Sequence, residues 1–200
     1  MKQKNPNQII RLDGKNVFLE VMNSAFEIGK VNINFIEYDA SQEKNSRIKQ
    51  SIPIYIDMDK MLVLINDILS GRISALAKAE KAKGNKWASA IYADLGGVSA
   101  KNLEARGKAR PDGMSLSRQF KITPGDKMPW ILSGEMGAGK ENDKGLIVPQ
   151  GKAENLVRVP LSDDDFKRLA IVVKAHIESF ITSQYLLKAT NPQEENSQSA

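Results

Sequence analysis

The sequence predicts an α+β fold in which consecutive strands precede a helix, and two stretches carry that prediction. Asn155 to Leu187 reads as a β-strand turning directly into a long amphipathic helix. Leu156–Leu161 supply the strand, and Ser162 stands three residues before Asp165, a spacing that lets the hydroxyl cap free helix amides while Asp165 reaches back. Asp163 and Asp164 add negative charge at the positive end of the helix. Phe166, Leu169, Val173, Ile177, Phe180 and Ile181 then recur at helical spacing and form one apolar stripe. A weaker copy runs from Ser51 to Gly71. There Ile52, Ile54 and Ile56 alternate, Asp57 is the expected cap, and Met61, Leu62, Leu64, Ile65, Ile68 and Leu69 line the helix. Two strand-then-helix stretches point to one supersecondary unit used twice.

Taken in order, residues 1–13 are polar and predict a flexible N-terminus. The first unit occupies residues 14–83, opening on a strand in which Val17, Leu19 and Val21 alternate. In the next, Val31, Ile33 and Phe35 point one way, and Lys30, Asn32, Asn34, Ile36 and Tyr38 the other. The third places Ile48, Ile52, Ile54 and Ile56 on one face, with Arg47, Lys49, Ser51 and Tyr55 opposite. Pro53 cannot donate a ladder hydrogen bond, which puts this strand at an edge or a bulge. The Ala- and Lys-rich stretch Arg72–Lys83 reads as an extension of the first helix.

Residues 84–113 read as a basic connector, with a weak strand signal around Trp87, Ile91 and Tyr92 and little to bury from Ser99 to Gly113. The second unit, residues 114–187, opens with Leu116, Phe120 and Ile122 alternating against Ser117, Gln119 and Lys121. A strand from Trp130 to Gly137, a glycine and charge loop, a return at Leu146–Gln150 and the strand before the final helix follow. Residues 188–200 lack apolar anchors and predict a disordered tail.

Two hundred residues, 41% of them hydrophobic and 26% charged, suit one soluble domain or two intimately packed halves. The absence of cysteine excludes disulfides and thiolate metal sites and fits a reducing compartment. No apolar run approaches the roughly 20 residues that span a bilayer, and the first residues lack a signal-peptide core, so a cytoplasmic protein without membrane contact is expected. Formal net charge is +5, unevenly spread. Gly71 to Lys121 holds eleven Lys or Arg against four Asp or Glu, an excess greater than that of the whole chain. Such concentration suits a polyanion, because each phosphate neutralised releases a condensed counterion.

The sharpest motif is a decoy. Gly134–Lys140 matches the phosphate-loop spacing, but Glu141 stands where a Mg²⁺-binding Ser or Thr is required, and Gly145 and Pro149 forbid the helix such a loop opens. His176 is the only histidine, with no second His or Cys to complete a metal site or acid–base pair. Helix capping accounts for Asp163–Asp165. Neither a catalytic constellation nor a cofactor is expected. What remains is a polar, basic sheet surface with interspersed aromatics, the chemistry that holds single strands through phosphate contacts and base stacking. The candidate residues are Lys30, Asn32, Asn34, Tyr38, Arg47, Lys49, Tyr55, Gln119, Lys121, Trp130 and Arg158, with core packing a competing role for Trp130.

The strand Arg118–Pro124, the strand around Trp130, the glycine-rich loop and above all Val159-Pro160-Leu161-Ser162 with Phe166 entering the helix resemble the Whirly proteins, a family that binds single-stranded DNA. The likeness covers roughly residues 14–187 and is most distinctive in the last third. It implies two ββββα repeats with antiparallel sheets packed on helices, a homotetramer built around the helices, and sequence-tolerant single-stranded DNA binding in replication, recombination or transcription. A bacterial or phage-type member is implied by the lack of a transit peptide. The family's Lys-Gly-Lys-Ala-Ala-Leu strand is reduced here to Gly14-Lys15. The same stacking chemistry serves RNA, an oligomeric scaffold is a second class of reading, and a nucleotide-binding enzyme acting through Gly134–Lys140 is a third.

Overall fold

The computed structural model describes residues 5–190, with Lys44, Lys188 and Ala189 described without their side chains. The outermost residues of the expected flexible N-terminus and disordered tail lie outside that range. The first sheet is antiparallel in the order β1 (Gln8–Asp13), β2 (Val17–Met22), β3 (Lys30–Tyr38) and β4 (Ile48–Asp57). Its register stacks Leu19, Phe35 and Ile52 in one row and Val21, Ile33 and Ile54 in the next, all at most 2% exposed. Full burial of side chains of this size contributes about 1.5–3 kcal/mol each. Among the described residues β4 pairs only with β3, so Pro53 sits on a sheet edge as its missing amide demands.

Four local expectations are corrected. Residues 8–13 form a strand, with Ile9 and Leu12 buried, and a register shift between Gln8 and Ile10 breaks the alternation that would have announced it. Asp57 does not cap α1 (Met58–Leu69); its carboxylate takes hydrogen bonds from Lys30 and Lys60, while the Met58 amide donates to the Gly29 carbonyl at 2.9 Å. α2 (Arg72–Ala82) is a separate helix, because Gly71 between the two adopts φ +83°, a left-handed turn that ends the first. Ile48, expected on the core face of β4, is 62% exposed beyond the bulge between Glu37 and Tyr38.

The second sheet holds β5 (Tyr92–Val98), β6 (Ser115–Pro124), β7 (Trp130–Glu141) and β8 (Ile147–Pro149) in that order, with β9 (Asn155–Leu161) also on β7. β9 takes β7 from Trp130 to Met136 and β8 takes it from Gly139 to Glu141. The stretch expected to be a connector with little to bury is built into this sheet. β5 pairs along β6, α3 (Ala100–Ala105) buries Leu103, and Arg110 makes a two-pronged bond to Glu154 at 2.6 and 3.0 Å. Its few apolar anchors were masked by charge, and ion pairing holds the rest.

α4 (Asp163–Thr190) opens as its sequence dictates: the Asp165 amide donates to Ser162 Oγ at 3.1 Å, and that hydroxyl donates to the Asp165 carboxylate at 3.0 Å. Phe166, Leu169, Val173 and Ile177 are buried along it, and Phe180 meets Phe26 edge-on at 5.3 Å. The sheets meet where Phe35 lies 6.1 Å from Phe120. Gly134 permits that approach, since a Cβ there would stand 2.6 Å from the Phe35 ring.

Candidate nucleic-acid interface

Strand alternation sends Phe120 and Ile122 of β6 into the core and leaves Gln119, Lys121 and Thr123 on the outer face of the second sheet. Register aligns Lys121 with Ser133 of β7 and Ser133 with Arg158 of β9, giving a polar row across three strands. Lys121 Nζ lies 2.7 Å from Glu135 Oε2 and is neutralised by it. Among the described residues, no carboxylate comes within 4.0 Å of Arg158.

Over this row stands the segment after α2. Together they enclose an open cavity of about 500 Å³, lined on one side by Lys86 and Trp87 and on the other by Lys121, Thr123, Ser133 and Arg158. Trp87 is 76% exposed, and Lys86 Nζ lies 5.7 Å from its ring centre, within cation–π range. The segment is anchored at both ends. Glu80, buried on α2, accepts the Ser89 amide at 2.8 Å, and Lys81 donates to the Gly125 carbonyl at 2.7 Å, tying α2 to the β6–β7 turn. The Lys83 ammonium and the Ser89 amide hold the Glu80 carboxyl below the usual carboxylate range. An exposed indole beside a guanidinium and an ammonium that have no acidic partner among the described residues can stack a base and neutralise its phosphates.

Of the eleven residues expected from sequence, Lys121 and Arg158 line this groove, and Gln119 lies on the same face but is only 7% exposed. Lys30 and Tyr55 line a different cleft, between the two sheets. The remainder are engaged elsewhere. Asn32 is buried at 4% exposure and donates to the Ile54 carbonyl at 3.3 Å, so it offers nothing to a ligand. Asn34 donates to Glu20 at 3.3 Å, and Tyr38 packs on Phe18 with ring centres 5.8 Å apart. Arg47 lies just before β4, its Nε on the Gln42 carbonyl at 2.8 Å, and Lys49 pairs with Asp39 at 3.5 Å. Trp130 belongs to the core: its ring stacks on Phe166 at 4.7 Å, and its Nε1 donates to Asp163 at 2.7 Å. The β7–β9 pairing that sets Trp130 opposite Leu161 faces it inward, which closes it to bases.

Trp87 and Lys86 were missed as site residues. The available signal was a Trp in a Gly-Asn-Lys-Trp-Ala-Ser-Ala context, with no large apolar residue immediately beside it. The phosphate-loop spacing has a packing explanation. Gly134–Lys140 is continuous strand rather than the expected loop from Ala138, and no helix opens from it. Side chains at Gly134 and Gly139 would strike Phe35 and Ile147, at 2.6 and 2.7 Å. His176 is exposed, and among the described residues no cluster of three His, Cys, Asp or Glu could hold a metal. No helix among them is long and apolar enough to cross a membrane.

No protein-family model, curated protein or solved structure matches this chain.

Proposed function

We propose that this protein binds single-stranded DNA through the outer face of its second sheet, without catalysing a reaction, as a Whirly-like module of two ββββα repeats. The observation that carries the reading is Trp87, solvent-facing yet anchored, beside Lys86, Lys121 and Arg158 over one groove. A stacked base contributes about 1–3 kcal/mol irrespective of its identity, so binding is sequence-tolerant. Phosphate contacts from the cations make it salt-dependent. Such coating serves replication, recombination or transcription in the cytoplasm.

Assembly into a tetramer fits the apolar surface of the helices. Ile171, Tyr185, Leu186 and Leu187 on α4 and Val63 on α1 are each more than half exposed. Light scattering then reports four chains, and a monomer at micromolar concentration removes that part of the reading.

Fluorescence anisotropy with labelled single-stranded DNA, RNA of the same sequence and duplex, at low and high salt, tests the function directly. Tight single-strand binding that weakens with salt is expected, with duplex binding much weaker. Equal affinity for RNA would extend the reading to both polymers. Failure to bind any of the three would reject it in favour of an oligomeric scaffold.

A further inference from the structure

A second cationic site lies away from the outer face, where the free edge of β4 meets the inward side of β5 and β6. The row Leu116, Arg118, Phe120 and Ile122 points toward the core, and at its second position alternation asks for an apolar side chain. Arg118 stands there instead. Its Nε is buried and makes no hydrogen bond, and among the described residues no carboxylate comes within 4.0 Å of its guanidinium. Burial pushes its pKa down; Tyr55 acts against that shift, and the like charge of Arg106 adds to it. A partly desolvated charge without a partner is favoured by a ligand that supplies the counter-charge.

Arg118 opens into a cleft of about 730 Å³ that also receives Arg106, Lys108, Lys30 and Tyr55. That is the size range of small-molecule sites. Gly97 on the cleft wall tolerates no side chain, since a Cβ there would lie 2.1 Å from the Leu116 carbonyl oxygen of the neighbouring strand. Lys30 is already paired with Asp57. Arg106, Lys108 and Arg118 are not paired among the described residues, and Glu141 is the one carboxylate on the wall. Three cations less one carboxylate leave about +2, equal in size and opposite in sign to the −1.5 to −2 or so of a phosphomonoester at neutral pH, and about twice what an internal phosphodiester needs. A planar guanidinium binds phosphate oxygens in pairs. Tyr55, 43% exposed, is the aromatic surface of the same cleft.

We propose that this cleft binds a nucleotide carrying a terminal phosphate, with the phosphate held by Arg118, Arg106 and Lys108 and the base placed against Tyr55. Two sources share that chemistry, a free nucleoside monophosphate and the phosphorylated end of a single strand. The site is separate from the Trp87 groove, so either can fail while the other stands.

Calorimetry on the full chain distinguishes the outcomes. Its probes are a nucleoside monophosphate, the matching nucleoside, and a short single strand bearing a 5′-phosphate, a 3′-phosphate or hydroxyls at both ends. Phosphorylated probes are expected to bind at least about tenfold more tightly than their unphosphorylated counterparts. Binding of the monophosphate alone marks a free-nucleotide site; preference confined to one phosphorylated strand marks an end-binding site. The paired exposed changes Arg106→Ala and Lys108→Ala should abolish the preference, as should Arg118→Leu, which restores the apolar row. Arg158→Ala should leave it intact while weakening strand binding. Equal binding of phosphorylated and unphosphorylated probes overturns the proposal, as does a preference that survives the Arg106/Lys108 double change, the decisive variant should Arg118→Leu not fold.

Discussion

The outward faces of the two sheets are both polar, both carry lysine or arginine, and differ in how that charge is used. On the first sheet Arg11 is taken by Asp13 and Lys49 by Asp39, while Asn34 and Gln8 both donate to Glu20. Phe18 on its outer face is only 8% exposed beneath the Arg11 guanidinium, which lies 3.5 Å from the ring centre. On the second sheet, among the described residues, only Lys121 is neutralised and Arg158 has no acidic partner, while Trp87 is open to solvent. Alternation decides which residues face outward. Whether they can meet a polyanion depends on whether the fold has already matched their charge.

The largest expected effect breaks that comparison at the indole. Trp87→Ala should weaken single-strand binding by about 5- to 150-fold, the equivalent of one lost stack, with the circular dichroism spectrum unchanged. Removing the free cations comes next. Lys86→Ala and Arg158→Ala should each lower the slope of log affinity against log salt by about 0.7, as for one phosphate contact on a single strand. Glu135→Gln works in the opposite direction: releasing Lys121 from its partly buried ion pair should raise affinity at low salt and steepen the salt slope by about 0.7, as for one added phosphate contact. A fall instead would mean that Glu135 positions Lys121 rather than silencing it. On the first sheet, joint replacement of Arg47 and Lys49 by Ala should change affinity less than about twofold, because neither stands beside an open aromatic.

Asp57 sharpens the contrast through pH. Hydrogen bonds from Lys30 and Lys60, in that order, lower its pKa below the ordinary carboxylate value. A carboxylate lowered on folding adds stability that is present above its unfolded pKa and lost as pH falls through the folded one. Thermal melts between neutral pH and about pH 2 should therefore show a shallower acid decline for Asp57→Asn than for the parent chain. Parallel declines would mean that the pair adds nothing to stability.

Much of the scaffold was legible because it rests on local rules. The Ser162–Asp165 cap, the stripe on α4 and the edge position of Pro53 each follow from a few neighbouring residues. What was hidden depended on distant partners. A bulge obscured β1, packing against Phe35 and Ile147 made a strand of glycines that resemble a loop, and Asp57 was drawn from a helix end by Lys30, 27 positions away. The site was harder still. Its outward-facing rows were predictable, but the pairing that neutralises Lys49 or leaves Arg158 free exists only after the chain has closed on itself.

Glu80 gives the Trp87 segment a latch. By gripping the Ser89 amide from a helix that is itself fastened to the β6–β7 turn, it fixes the loop during folding rather than at the moment of encounter. An arriving strand meets a surface already set in place and need not immobilise it, the condition under which few contacts suffice for useful affinity.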